Sequence, residues 1–141
     1  MSAYKRIECS LTDKETLLKA LAELGFEPIQ HETPQALRGY RGDTRTQVAE
    51  IIVPKEQINR LFTGASNDLG FVYNPETKGY VMVISDFDAA CKLNLRVIQA
   101  YAKVAIQKAL EEQGYEVEST PSAALQNKDR RNIQIVGEKL I

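Results

Sequence analysis

The chain has 141 residues, of which 43% are apolar and 26% charged. These are ordinary values for a globular domain and exclude collagen-like, low-complexity and wholly disordered chains. Lys plus Arg is 18 and Asp plus Glu is 19, a formal net charge of −1, so a domain-wide basic field for nucleic acid is excluded and only local patches remain.

A single α+β domain over residues 1–141 is expected, long enough to hold a core without staples. Cys9 and Cys91 lie far apart with no CxxC spacing, which argues against a zinc cage or a disulfide framework. The start carries no apolar h-region, and no apolar run reaches the ~18 residues of a membrane span. Residence in the cytoplasm, or an equivalent reducing compartment, is the expectation.

Residues 4–11 alternate Ile7, Cys9 and Leu11 with Arg6, Glu8 and Ser10, the period of a half-buried strand. Thr12 and Glu15 have capping-box spacing and open a helix that carries Leu17, Leu18, Leu21 and Leu24 to a stop at Gly25. Phe26 is expected to fold back toward Leu21. Residues 27–45, with Pro28, Pro34, Gly39 and Gly42, read as the least regular part, holding a short strand near 36–40. Residues 46–53 are β-branched and apolar, a strand ended by Pro54. A short helix over 55–62 carries Ile58, Leu61 and Phe62, and 63–67 has loop composition.

Residues 69–73 and 80–85 form the clearest hairpin, joined by turn residues 74–79. Its second strand is apolar on both faces and so belongs inside the sheet. Residues 93–113 repeat Ile98, Tyr101, Ala105 and Ala109 at helical spacing, ended by Gly114, with Tyr115 folding back onto Leu110. Beyond lie a strand extension over 115–118, a polar stretch 120–130 and a last strand 131–136. Residues 19–27 and 108–116 echo one another. This reads either as a duplication or as two amphipathic helices with the same glycine stop. The element order favours an α+β sandwich, an antiparallel or mixed sheet with two main helices on one face, ferredoxin-like or related.

Four groups of residues invite a chemical reading. Asp68, Asp86 and Asp88 supply the hard oxygens a divalent cation wants, but match no EF-hand spacing; turn and helix-cap duty is the competing reading. Arg38, Tyr40, Arg41 and Arg45, interleaved with Gly39 and Gly42, combine bidentate phosphate donors, close backbone approach and a stacking ring. The run is neither a Walker loop nor GxGxxG, and Asp43 and Glu50 offset part of its charge. It reads equally as a solvated hairpin edge. Lys128, Arg130 and Arg131 form a second basic cluster. Cys91, just before the long helix, has the setting of a lowered thiol pKa but no neighbouring His or Cys. Cys9 reads as core, His31 as a surface loop residue, Tyr101 and Tyr115 as packing. No catalytic, metal or cofactor residue is assigned.

Several of these segments resemble a known family. They are the start Met-Ser-x-Tyr-x-x-Ile, the helix end at Leu24-Gly25-Phe26, Arg38-Gly-Tyr-Arg-Gly, and Asp68-Leu-Gly-Phe71 with its hairpin to Asp86. Gln99-Ala-Tyr101-Ala and Gln113-Gly-Tyr-Glu-Val117 complete the set. The chain resembles the "hypothetical chloroplast reading frame thirty-five" family of cyanobacteria and red-algal plastids, a domain of unknown function. That resemblance implies a small accessory protein of the cytoplasm or plastid stroma, and association with an AAA-type ATPase.

The functional expectation is therefore an accessory or adaptor domain, not an enzyme, that engages a protein partner through the 38–45 run. A single-stranded RNA or nucleotide-phosphate binder using the same run is the alternative. A metal or thiol enzyme built on Asp86 and Asp88 or on Cys91 ranks third. An amphipathic strand edge also leaves a homodimer open.

Overall fold

The structure, a computed structural model, describes residues 3–62 and 64–114. The expected elements at Tyr115, 115–118, 120–130 and 131–136, and the Lys128, Arg130 and Arg131 cluster, lie outside the described residues. The chain divides into two compact units, Met1–Tyr101 and Ala102–Ile141.

The first unit runs β1 (Tyr4–Leu11), α1 (Lys14–Glu23), β2 (Ile29–Arg38), β3 (Thr44–Val53), α2 (Lys55–Leu61), β4 (Leu69–Asn74), β5 (Gly79–Ser85) and α3 (Asp86–Ala90). It also holds the first half of α4 (Leu93–Glu112), whose remainder belongs to the second unit. The five strands order β1-β5-β4-β3-β2 and every pair is antiparallel. The α+β expectation holds. This order is a β2-to-β5 meander closed by β1, so β1 and β2 take opposite edges. A ferredoxin-like arrangement is not confirmed by it.

Alternation places the core. Ile7, Cys9 and Leu11 of β1, Ile51 and Val53 of β3, and Tyr80, Met82 and Ile84 of β5 share one face. Leu17 and Leu21 of α1, Ile58 of α2, and Leu93 and Val97 of α4 pack on it. Each such buried aliphatic side chain contributes roughly 1.5–3 kcal/mol of transfer free energy. The β5 strand is buried along its whole length, as expected of a strand inside the sheet. The other face holds a smaller cluster of Leu37, Ala49, Ile52 and Val83, with Tyr4 and Val72 against it.

Helix ends explain several details. Asp13, not Thr12, caps α1: its carboxylate accepts the Thr16 amide at 3.0 Å. The cap sits one residue later than expected because Asp is as good an N-cap as Thr, and the Asp13 amide donates to the Tyr101 hydroxyl at 2.9 Å. Gly25 (φ 91°) and Gly114 (φ 86°) both take the left-handed conformation that stops a helix. The two ends of the internal echo therefore share the same glycine stop. Phe26 donates its amide to the Leu21 carbonyl and joins the same core cluster.

Two expectations are corrected. Residues 29–38 form one ten-residue strand, not a short strand near 36–40, and His31 sits on it rather than in a loop. The strand is an edge and mostly exposed, so it lacks the apolar alternation that announces a strand. Gln30 faces Ile51 and Gln35 faces Ala49, so His31–Pro34 bulge opposite Glu50. Helix α3 was also unanticipated, because five residues are too few to show a period.

Candidate interaction site

The run from Arg38 to Arg45 is the β2–β3 turn and its two flanks. The Gly39 amide donates to the Asp43 carbonyl at 2.8 Å, and the Gly42 amide to the Gly39 carbonyl at 2.9 Å. A Cβ on Gly39 would lie 2.6 Å from both Arg45 Nε and Asp43 Oδ1. Glycine there makes room for the Asp43–Arg45 ion pair, whose Nε–Oδ2 distance is 2.7 Å. Burial opposes the Asp43 charge. The Arg45 hydrogen bond and the turn amides outweigh it and hold the carboxyl below its usual range. The Arg45 guanidinium also sits 5.7 Å from the Tyr4 ring centroid, a cation–π contact.

Arg38 is tied down more firmly. Its guanidinium bridges two carboxylates, reaching Asp68 at 3.0 and 3.1 Å and Glu56 at 2.8 and 3.1 Å. Both contacts are bidentate forks, the strong geometry for this pair. The Asp68 hydrogen bonds first, and Glu56 second, raise the Arg38 pKa further. Arg38 in turn holds the Glu56 carboxyl down to about 2.

Asp68 is the centre of the cluster and only 2% exposed. Besides the guanidinium it accepts two backbone amides, Arg38 N and Lys55 N, each at 2.8 Å. Pro54 at the α2 N-cap makes no side-chain cap, so Asp68 caps that helix from the β4 side. Opposite, the Tyr4 hydroxyl lies 3.0 Å from the Arg38 carbonyl and 2.6 Å from the Asp68 carbonyl. Burial, followed by the Asp68 charge, pushes the Tyr4 pKa well above that of a free phenol. The hydroxyl therefore stays a donor.

Asp88 anchors the adjoining loop. It is 1% exposed and accepts Ser66 Oγ at 2.6 Å and the Asn67 amide at 3.3 Å. Its own amide donates to Ser85 Oγ, the α3 cap, at 3.1 Å. Burial pushes its carboxyl up, against the Ser66, Ser85 and Asn67 hydrogen bonds. Asp86 is exposed and lies 3.9 Å from Lys5 Nζ. The three aspartates singled out in the sequence thus have three separate sets of partners. Among the described residues, no group of three or more His, Cys, Asp or Glu side chains is placed to hold a metal.

Tyr40, 49% exposed, and Arg41 stand at the tip of the turn in solvent. The structure thus brings Arg38 and Arg45 into the body of the fold and leaves Tyr40 and Arg41 outside. Cys91 is exposed and ends α3; Lys92, with φ 67°, separates it from α4. Cys9 is half-buried against the core, and burial raises its thiol pKa. Tyr101 packs on the core and accepts the Asp13 amide at 2.9 Å. A cleft of about 270 Å³ lies elsewhere, beside the β1 irregularity, lined by Cys9, Ser10, Thr12, Thr77 and Tyr80 among others.

Sequence reading missed Tyr4, Glu56 and Asp68 as parts of the turn's foundation. They stand 34, 18 and 30 residues from Arg38. No local pattern joins residues so far apart.

No described helix is long and apolar enough to cross a membrane. A search of curated proteins and one of solved structures gave no match. A family model described as "Protein of unknown function (DUF1257)" matches residues 20–127. That is more than half of the chain, which therefore belongs to the DUF1257 family.

Proposed function

We propose that this DUF1257 protein is a non-catalytic accessory domain that offers the Tyr40–Arg41 tip to a protein partner. One observation carries the reading: Arg38 and Arg45 are paired with Asp68, Glu56 and Asp43, so the aromatic and cationic side chains of the run that are exposed without an ion-pair partner among the described residues are Tyr40 and Arg41. Tyr and Arg are the residue types enriched where binding energy concentrates in protein interfaces. The ion pairs beneath the tip hold it in place before any partner arrives, which lowers the ordering cost of association. Asp68 and Asp88, the buried carboxylates a hydrolytic site would use, already accept internal hydrogen bonds.

RNA binding by the same run is the second reading. It draws on counterion release, which scales with the cations free to meet phosphates. With two of three arginines paired, that term is small, and this favours the protein partner. The resemblance to the plastid reading-frame family supports a cyanobacterial or plastid source, residence in the cytoplasm or stroma, and an AAA-type ATPase as the first partner to test.

The test is capture of host proteins on the immobilised full chain after nuclease treatment, beside Y40A and R41E. A stoichiometric protein should be retained by the wild type and lost from both variants, with Tm unchanged. Capture that ignores both substitutions, or recovery of nucleic acid alone, would remove the tip from the argument.

A further inference from the structure

We propose that the outer edge of β1 pairs with β1 of a second copy of this chain, in one register fixed by charge. β1 and β2 are the two edges of the sheet. β2 is broken by its bulge and by Pro34, which has no amide to donate. β1 pairs regularly with β5 from Tyr4 to Glu8, and among the described residues no strand pairs with its other side.

The hydrogen-bond phase of that open side can be read. Tyr4 faces Ser85, so Ala3 faces Asp86, and the Asp86 amide donates to the Ala3 carbonyl at 2.8 Å. Hydrogen-bonded pairs alternate along an antiparallel ladder, so Ala3, Lys5 and Ile7 spend their backbone groups on β5. Arg6 and Glu8 turn theirs outward. Both side chains are exposed, and neither has an ion-pair partner among the described residues.

A twofold antiparallel pairing must set outward-turned residues opposite one another. Centring it on Arg6 or on Glu8 opposes like charges across the axis, and centring it on Lys5 does the same. Centring it on Ile7 sets Arg6 against Glu8 of the second copy twice, with Ile7 against Ile7 between them. Directly opposed opposite charges stabilise a strand pair and like charges destabilise it. The sequence Arg6-Ile7-Glu8 is self-complementary in that register. A pairing of so few residues buries far less than the ~1,600 Å² of a standard interface, so the dimer forms reversibly with concentration. It uses neither Tyr40 nor Arg41.

The experiment is sedimentation of the full chain across a concentration series, with R6E, E8R, the R6E/E8R double variant and an equimolar mixture of the two single variants. The wild type should dimerise, and each single variant should remain monomeric with unchanged Tm. The double variant and the mixture should recover dimer. In a C9S/C91S background, I7C should form a disulfide dimer on mild oxidation and K5C should not, because only position 7 meets itself. A wild type that stays monomeric throughout, swaps without effect, or a mixture that fails to recover dimer would each overturn the proposal.

Discussion

Replacing Asp68 with alanine should cost more stability than removing the arginine it pairs with. The carboxylate accepts the Arg38 and Lys55 amides, both at 2.8 Å, within a group only 2% exposed. D68A leaves both amides without an acceptor. A buried donor left unsatisfied costs about 1–3 kcal/mol, so the two together cost about 2–6 kcal/mol. The lost ionic contact adds little, because the Arg38 side chain is 40% exposed, keeps Glu56 and can turn to water. R38M removes the guanidinium but spares both amide bonds, which still stabilise the carboxylate, and should cost about 1.5–3 kcal/mol. Urea unfolding followed by far-UV circular dichroism measures both, provided the m-value is unchanged. A D68A loss below about 1 kcal/mol, or one smaller than that of R38M, would refute the claim that the amides dominate.

Three further outcomes follow from the same contacts. In G70A the new Cβ would lie 2.8 Å from Ala49 Cβ and 3.0 Å from Leu37 Cδ1, and the short Ala49 cannot swing away; a loss of about 1–3 kcal/mol by urea unfolding is expected. Asp88 has a folded pKa raised by burial above its unfolded value, so the fold binds its proton more tightly; its stabilising contribution is present at low pH and lost as pH rises through the folded pKa. The stability of the wild type relative to D88N should therefore grow as pH falls from neutral toward the carboxylate range, and a flat difference would contradict this. Glu56 has the opposite sign: its carboxyl is held down to about 2, so the contribution is present above the unfolded pKa and lost as pH falls toward about 2. E56Q should flatten that acid limb only slightly, since the side chain is 57% exposed and screened.

What the sequence disclosed depended on whether burial was one-sided and local. The β4–β5 hairpin, the buried β5 and the α4 helix were legible because their apolar residues recur at the period of their own backbone. The Gly25 and Gly114 stops were legible because a left-handed residue is nearly always glycine. Edge strand β2 was not, since Gln30, Glu32 and Gln35 meet solvent and nothing selects them for apolarity. Helix α2 was visible from Ile58 and Leu61, yet its cap was not. Pro54 offers no side-chain acceptor, and the acceptor that serves comes from Asp68, thirteen residues on from Lys55.

The arginine-glycine run shows why charge counted along a chain differs from charge offered to a partner. Arg38, Arg41 and Arg45 carry three formal positive charges. The acids that the fold brings against Arg38 and Arg45, namely Asp43, Glu56 and Asp68, carry three negative ones, and Lys55 beside Glu56 adds one more positive charge. Seen from solvent the cluster is close to neutral, and the arginine of the run without a carboxylate partner among the described residues is Arg41, beside Tyr40. Such a surface has little to gain from releasing counterions along a phosphate backbone. It suits a compact, largely apolar contact with one directed charge. Binding at this tip should then lose at most about tenfold in affinity for each tenfold rise in salt, as one released ion allows. A slope several times steeper in titrations across salt would mean that Arg38 and Arg45 leave their carboxylates on binding, and that the phosphate reading of the run was the right one.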